Sequence, residues 1–221
     1  MLVRPRNPFN IGACARAMAN FGLSDLRLVA PHPPIWAEAK RAAVEAGGLL
    51  RRARVYPDLE SATADCRLVL GTTALKTRRP GRPLRVLPEL PRPRGSWALV
   101  FGPEKTGLTE AHLEYCDELL NIPTDSKCPS MNLAQAVATA CYAYSISAGR
   151  RDLPKTKSRI SSGELELLIS RSTEALDMIA YRPSMTQAKK RARVRRLFRR
   201  RGLEKEEAGM LYEILRRISE R

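Results

Sequence analysis

Residues 98–144 read ALVFGPEKTGLTEAHLEYCDELLNIPTDSKCPSMNLAQAVATACYAY, and this stretch decides the fold. Two apolar runs, 98–101 and 119–122, each stop at a loop of glycine, proline and small polar residues. Each loop leads into a predicted helix, the first with Thr109 as its N-cap. Because ligands bind beyond the carboxyl ends of strands in an open α/β sheet, the two loops predict a binding site. The second helix has the apolar spacing of one buried face, with Leu133, Ala136, Val137, Ala140, Cys141 and Tyr144.

The charge of the chain indicates a polyanionic partner. Its 221 residues carry 39 Lys and Arg against 23 Asp and Glu, a formal net charge of +16. Residues 155–221 hold 18 of the basic and 9 of the acidic residues, so this end is roughly three times as basic per residue as the rest. RNA or DNA is therefore expected ahead of a membrane surface. The length suits one α/β domain with an appendage.

The cysteines and the apolar runs predict a soluble cytoplasmic protein. No CxxC pair or His/Cys ligand spacing occurs, which predicts reduced thiols and no metal site. No apolar run approaches the ~20 residues of a membrane span, and the N-terminus has no apolar signal segment, so no membrane partner is expected. The five cysteines are Cys14, Cys66, Cys116, Cys128 and Cys141.

Strands and helices alternate through the first 150 residues, and this alternation predicts a parallel α/β sheet. Residues 76–94 are rich in Pro, Gly and Arg and predict an exposed basic loop, with one helical turn near 87–90. The predicted strands are 2–3, 26–29, 54–56, 67–71, 98–101 and 119–122, and the early helices are 11–21, 37–46 and 59–65.

Beyond the predicted sheet the sequence becomes more basic and its pattern predicts only helices. A polar, proline-containing linker precedes a helix that opens with the capping box of Ser161 and Glu164. Residues 186–201 hold nine Lys or Arg in sixteen positions and predict a basic helix. The predicted domains are therefore 1–150, the sheet domain, and 151–221, a basic helical extension for RNA contact or dimer packing.

Three motifs resemble, in order and spacing, those of the SPOUT-class RNA 2′-O-ribose methyltransferases of the TrmH/TrmJ family. The first is N-x-G-x-x-x-R, from Asn10 to Arg16. The second is F-G-x-E-x-x-G-L at residues 101–108, and the third is I-P at 122–123 with S-x-N-L-A at 130–134. The match covers about residues 2–150, and the basic tail resembles the C-terminal extension of the TrmJ branch.

The resemblance implies an α/β fold with a deep trefoil knot of SPOUT type in its parallel sheet and a small α-helical extension. It implies S-adenosylmethionine as the cofactor, no metal, and a homodimer with the site at the interface. The implied activity is 2′-O-methylation of tRNA ribose, in the anticodon loop at cytidine or uridine. Two alternatives stay open: an rRNA 2′-O-ribose methyltransferase, and a catalytically silent RNA-binding protein of the same fold.

Methyl transfer to a ribose hydroxyl requires the 2′-oxygen to be positioned in line and its developing negative charge to be stabilised. By motif position Arg16 is the family's catalytic arginine, and because arginine holds its proton we expect a fixed cation rather than a base. Asn10 is expected to cap the helix that carries Arg16. Ser130 and Asn132 are each expected to orient the ribose, to cap the following helix, or to do both. Glu104 is expected either to bind loop backbone or to pair with Arg16.

Small residues at three strand ends let backbone approach an adenosine closely between apolar walls. The predicted cofactor-binding residues are Thr72, Gly102, Gly107, Ile122 and Leu133. The basic tail is expected to extend the active-site cleft as a row of phosphate contacts. The predicted RNA-binding residues are Arg6, Lys189, Lys190, Arg191, Arg195, Arg196, Arg199 and Arg200.

Overall fold

The structure, a computed structural model, describes residues 1–32, 36–74, 82–90, 95–149 and 159–219. Its strands are β1 (Leu2–Val3), β2 (Arg27–Val29), β3 (Arg54–Tyr56), β4 (Leu68–Thr73), β5 (Leu84–Val86), β6 (Trp97–Val100) and β7 (Glu118–Asn121). Two parallel sheets, β1-β2-β3 and β5-β7-β4-β6, meet edge to edge. At the junction Val3 N donates to Phe101 O at 2.8 Å, and Phe101 N donates to Met1 O at 3.0 Å. The predicted parallel α/β fold is confirmed.

Helices cover both faces of the sheets. Leu2 and Leu28 face a core shared with the first and sixth helices, whereas Val3 and Val29 face a core shared with the fourth and fifth. This alternation is the two-residue period of a strand buried on both sides. The helices are α1 (Pro8–Asn20), α2 (Trp36–Ala43), α3 (Gly47–Arg51), α4 (Leu59–Thr63), α5 (Glu110–Leu113), α6 (Leu133–Gly149), α7 (Ser162–Met178), α8 (Gln187–Arg201) and α9 (Lys205–Ser219).

Two helix starts follow the predicted capping chemistry. The Thr109 side chain accepts from His112 N and the His112 ring accepts from Thr109 N, a reciprocal pair at the start of α5. Ser161 and Glu164 form the predicted capping box of α7. These caps satisfy backbone groups that the first helical turn leaves free.

Three local predictions are wrong. β5 reads Leu-Arg-Val and is a strand within the segment predicted to be a loop, because its parallel pairing with β7 outweighs the Pro, Gly and Arg residues around it. The helix predicted at 37–46 does not end at the following glycines, because the chain continues through a 3-10 turn (Val44–Ala46) into α3 and buries Leu49 and Leu50. Residues 87–90 form a turn and not a helix. The rest of the predicted loop, at 76–81 and 91–94, lies outside the described residues.

Gly12 of the first motif has a packing role. A Cβ built there would lie 1.9 Å from the carbonyl oxygen of Ala39 in α2, so α1 and α2 pack this closely only around glycine. We expect Gly12→Ala to lower the free energy of unfolding by about 1–3 kcal/mol, the usual cost of overpacking. Gly209→Ala in α9 is the matched control, since nothing beyond its chain neighbours and the backbone of its own helix lies within 4 Å of its built Cβ. Urea denaturation measures both, and equal stabilities would contradict the packing role.

The last three helices form their own small core and dock beneath the second sheet. Leu168, Ile169 and Val194 are buried in this core. At the start of α7, Ser162 N donates to Cys66 O at 2.7 Å, and this acceptor precedes β4. The extension therefore sits at the amino ends of the strands. Across the described part of the chain, no helix combines the length and apolar character needed to cross a membrane.

Candidate active site

The carboxyl ends of β4, β6 and β7 surround a pocket of about 350 Å³. The loop after β6, residues 102–108, forms one wall, and residues from the loop at 122–131 form another. Ser130 and Glu104 lie on its lining, but Arg16 does not. All five residues predicted to bind the cofactor line this pocket: Thr72, Gly102, Gly107, Ile122 and Leu133.

The glycines of the second motif shape one wall of the pocket. A Cβ built on Gly102 would lie 2.2 Å from the carbonyl carbon of Gly107 and 2.3 Å from the nitrogen of Leu108. Gly107 itself has φ +63°, a left-handed conformation that glycine adopts without strain. The loop therefore folds tightly onto its own backbone, and the close approach that Gly102 permits is to this backbone.

Glu104 joins the second motif to the first. Its Oε2 accepts from Arg6 N at 3.3 Å, and its Oε1 accepts from Asn7 N at 3.2 Å and from Asn10 Nδ2 at 3.0 Å. Burial alone raises the pKa of this carboxyl, but the hydrogen bonds from Asn10 and the loop backbone hold the pKa below its usual range. Of the two roles predicted for Glu104, the structure shows the contact with loop backbone and no pairing with Arg16.

Asn132 joins the third motif to the first. Its Nδ2 donates to Asn10 Oδ1 at 3.2 Å, and its Oδ1 accepts from Ala134 N at 2.9 Å, which caps α6. The prediction that Asn10 caps α1 is wrong, because Asn7 is the cap and its side chain accepts from Phe9 N at 2.9 Å. The helix starts three residues earlier than predicted. Asn10 therefore bridges Glu104 and Asn132 from inside the first turn.

Ser130 lies on the pocket and not at the helix end. Since Asn132 caps α6, the capping alternative for Ser130 is excluded. Its side chain is exposed and makes no hydrogen bond to another described residue. The hydroxyl is therefore available to a ligand in the pocket.

Arg16 lies on the outward face of α1. Six residues separate it from Asn10, which places it about 120° around the helix and about 9 Å along its axis from the contact with Glu104. Its side chain is exposed, and the neighbouring Phe9 on the same face is 48% exposed. Within a single chain the predicted catalytic arginine thus stands apart from the pocket.

Four cations of α8 face inward, against the prediction that they contact RNA. Lys190, Arg195 and Arg199 are buried, so the prediction of RNA contact is wrong for these three. Arg191 is half-buried and paired as well. The pairs are Lys190 Nζ–Asp177 Oδ1 at 2.6 Å, Arg191 Nη2–Glu166 Oε2 at 3.5 Å, Arg195 Nη2–Glu166 Oε2 at 2.7 Å and Arg199 Nη1–Asp117 Oδ1 at 3.2 Å.

Arg199 fastens the extension to the sheet. It donates from Nη1 to Asp117 Oδ1 and from Nη2 to Glu166 Oε1, both at 3.2 Å, while Asp117 Oδ2 accepts from Val69 N at 2.8 Å. Burial raises the pKa of Asp117. Burial alone also raises the pKa of Glu166, but Arg195 and Arg199 together hold that pKa below its usual range.

The anchored extension lies at the strand ends opposite the pocket. Asp117 precedes β7, whereas the pocket begins beyond its far end. A six-residue strand such as β4 spans about 20 Å. The prediction that the tail extends the active-site cleft is therefore wrong for the pocket of the same chain.

Two residues of this arrangement escaped sequence reasoning although the sequence carries a signal for each. Asn7 directly precedes Pro8, and a polar cap followed by proline is a standard helix start. Arg193 belongs to an exposed row on α8 that a helical spacing of four, three and four residues would have revealed: Lys189, Arg193, Arg196 and Arg200.

The sequence and the fold both match known proteins. Residues 1–142 match the SpoU rRNA Methylase family. The chain belongs to this family. The resemblance drawn from the three motifs is thereby confirmed, and the matched region of this SpoU methylase holds the pocket and every motif.

Two of the relatives reported below match nearly the whole chain, including the C-terminal extension. A TrmJ from Pseudomonas aeruginosa, named a tRNA (cytidine/uridine/adenosine-2′-O-)-methyltransferase, is 34% identical over 233 residues, 97% of this chain and 91% of its own. A TrmJ from Methanocaldococcus jannaschii, named a tRNA (cytidine-2′-O-)-methyltransferase, is 33% identical over 184 residues, 80% of each chain. The crystal structure of TrmJ from Z. mobilis matches with a TM-score of 0.84 and 32% identity, covering 99% of this chain and 97% of that one.

Proposed function

We propose that this SpoU methylase transfers a methyl group from S-adenosylmethionine to the ribose 2′-oxygen of a cytidine or uridine in the anticodon loop of tRNA. One observation carries the proposal: Glu104, Asn10 and Asn132 bond the three motifs together beside a strand-end pocket. The similarity to TrmJ proteins named as tRNA 2′-O-methyltransferases, over nearly the whole chain, supports tRNA as the substrate.

The pocket suits the proposed cofactor. Its volume of about 350 Å³ falls in the range of small-molecule sites. Ile122 and Leu133 offer apolar walls for an adenine ring, and the backbone around Gly102 and Gly107 offers amide and carbonyl groups for polar atoms. When bound, S-adenosylmethionine supplies an electrophilic methyl group on its sulfonium.

The residues of the chain would position the ribose and stabilise charge. Ser130, with its free hydroxyl on the pocket, orients the ribose by a hydrogen bond. Arg16 holds the negative charge that develops on the 2′-oxygen and on the neighbouring phosphate, as a planar bidentate cation. The hydroxyl proton leaves to water or to a phosphate oxygen. Glu104, Asn10 and Asn132 act as positioning residues, because their side chains bond to one another and to loop backbone.

A homodimer would complete the site. Arg16 stands outside the pocket of its own chain, and apolar side chains on α1 and α6 are open to solvent, with Phe9 48%, Tyr142 56% and Ile146 47% exposed. A second copy that covers this face would bury them and carry Arg16 of one subunit to the pocket of the other.

Three further features belong to the proposal. The loops at 102–108 and 122–131 wall the same pocket, and a trefoil knot would thread these segments through one another. The sheet domain would extend over 1–150 and the extension over 151–221, which agrees with the separate core of α7, α8 and α9. Because its proposed substrate is tRNA, the enzyme would act in the cytoplasm.

A methylation assay tests the proposed activity. Full-length tRNA transcripts are incubated with labelled S-adenosylmethionine and no added metal, and 2′-O-methyl positions are mapped by resistance to alkaline cleavage. We expect one methyl group in the anticodon loop. Methylation of ribosomal RNA alone would replace tRNA by rRNA as substrate, and tight tRNA binding without methyl transfer would identify a silent RNA-binding protein.

The tight loop at Gly102 gives a prediction about cofactor binding. Gly102→Ala places a methyl group against the backbone of Gly107 and Leu108, so the pocket wall must move. We expect affinity for S-adenosylmethionine to fall by at least about tenfold, or 1.4 kcal/mol, as measured by calorimetry. Gly209→Ala, distant in α9, serves as the control and should bind normally. Unchanged affinity in Gly102→Ala would remove this loop from the cofactor site.

A further inference from the structure

Two buried arginine nitrogens lack a hydrogen-bond partner at the place where the extension docks on the sheet. They are Nε of Arg82 and Nε of Arg199, and neither makes a hydrogen bond within the part of the chain that the structure describes. A buried N–H group without a partner is costly, and proteins commonly satisfy such a group with an ordered water or an ion. Two such donors on neighbouring cations therefore call for an acceptor.

The backbone brings these two arginines to the same end of the sheet. Pro83, which follows Arg82, accepts a hydrogen bond from Leu119 N at 2.8 Å. Arg199 donates to Asp117, two residues before Leu119, at 3.2 Å. Arg82 and Arg199 therefore both lie at the start of β7, the first on the segment that enters β5 and the second on α8.

Arg82 is a half-buried cation in a positive environment. It forms no ion pair with a described residue. Burial lowers the pKa of its guanidinium, and the positive charges of Arg196 and Arg199 lower this pKa further. Cys116 and Glu110 act in the opposite direction without cancelling these effects. A negative ion beside Arg82 would relieve the repulsion among the three guanidinium groups.

The nearby carboxylates are already shared among other arginines. Where the extension meets the sheet, the described residues pair five guanidinium groups with four carboxylates: Arg85, Arg159, Arg191, Arg195 and Arg199 with Glu114, Asp117, Glu118 and Glu166. Arg82 raises the count to six cations against four anions. Because a buried excess of charge is costly, this junction favours an additional anion.

We propose that Arg82, Arg196 and Arg199 form a binding site for one tetrahedral oxyanion of the phosphate or sulfate type. Arg199 uses its two Nη groups on Asp117 and Glu166, so its Nε is the donor left for the ion. Arg196 is exposed and lies three residues before Arg199, a spacing that places the two next to each other on the surface of α8. The ion therefore enters from the solvent side of Arg196.

The chemistry of the three groups suits an oxyanion. A guanidinium donates parallel hydrogen bonds in a planar fork that matches the oxygen atoms of phosphate, and it keeps its charge at every physiological pH. Since Arg82 belongs to the sheet domain and the other two residues to α8, a bound ion would hold the extension and the sheet together. The site thus acts on stability and not on the methyl-transfer pocket.

Thermal unfolding of the full chain at pH 7 tests the site, with sodium phosphate replacing sodium chloride at constant ionic strength. We expect phosphate to stabilise the wild type saturably and to raise Tm by about 3–6 °C at ten times its dissociation constant. Arg82→Gln should bind phosphate at least about tenfold more weakly, so its Tm should rise by no more than about 2 °C at that concentration. Arg193→Gln removes the same charge from an exposed position of α8 and should keep the full shift.

A second variant covers the case in which Arg82→Gln does not fold. Arg196→Gln changes an exposed side chain and should weaken phosphate binding about fivefold, the effect of losing one exposed ion pair. Equal shifts in wild type, Arg193→Gln and the site variants would mean a general salt effect and overturn the proposal, as would a shift that never saturates.

Binding of tRNA distinguishes a free ion from a phosphate of the RNA backbone. We expect Arg82→Gln to bind tRNA within about twofold of wild type in fluorescence anisotropy, because phosphate contacts on the RNA would have to reach a half-buried group. If Arg82→Gln loses tRNA affinity while inorganic phosphate leaves the Tm of wild type unchanged, the three arginines hold the RNA and the proposed site for a free ion is wrong.

Discussion

Replacing Arg16 with alanine is expected to slow methyl transfer by about 10²–10³-fold, the usual effect of removing a donor that stabilises a developing oxyanion. Affinity for S-adenosylmethionine should stay within a few-fold of wild type, because Arg16 does not line the pocket. Arg16→Lys should be nearly as slow, since a point charge cannot replace a planar bidentate guanidinium. Single-turnover kinetics and calorimetry measure the two quantities. A fast Arg16→Lys enzyme would contradict bidentate contact.

Dimers that combine two different variant subunits would show whether Arg16 acts at the pocket of its own subunit or at that of the partner. An Arg16→Ala subunit keeps an intact pocket, and a Gly102→Ala subunit keeps an intact Arg16. The assay uses a concentration of S-adenosylmethionine too low to load the Gly102→Ala pocket, so that either variant alone is nearly inactive. If the arginine acts across the interface, co-expression of the two variants should restore about one quarter of wild-type activity, because half of random dimers are hybrids with one complete site. No recovery would place the arginine and the pocket of each site in one chain.

Replacing Arg199 with methionine is expected to lower the free energy of unfolding by about 3–5 kcal/mol, the range for breaking a buried ion pair from one side. The change leaves the buried Asp117 without its hydrogen-bonded cation and removes one of the cations on Glu166. These contacts hold the extension against the sheet. The amides of α7 and α8 should therefore lose protection against hydrogen exchange. Urea denaturation followed by circular dichroism gives the stability, and hydrogen exchange gives the local effect.

The adjacent residue supplies the control. Arg200→Met removes the same charge from an exposed position and should change stability by no more than about 0.5 kcal/mol. Adding Asp117→Asn to Arg199→Met should cost less than the sum of the two single changes, because the carboxylate that lost its partner is then gone. A similar loss for Arg199→Met and Arg200→Met would mean that Arg199 is not an anchor.

The sequence alone determined the parallel sheet, the caps of α5 and α7, and the pocket at the strand ends. Buried strands, glycine loops and capping residues are local signals, because each records the backbone conformation of its own few residues. For this reason Thr109, Ser161 and Gly107 occupy the places and conformations that their residue types favour. The order and spacing of the three motifs identified the protein family.

Only the tertiary structure decided which charged and polar side chains meet. The spacing along α8 cannot distinguish Arg199, buried against Asp117, from Arg200, exposed to solvent, because the difference depends on carboxylates far away in the chain. Likewise Glu104 and Asn10 are 94 residues apart, and a hydrogen bond between them is set by strand order and not by composition. The three-residue strand β5, which lies in a Pro-, Gly- and Arg-rich segment, forms for the same reason: a partner strand, β7, supplies its hydrogen bonds.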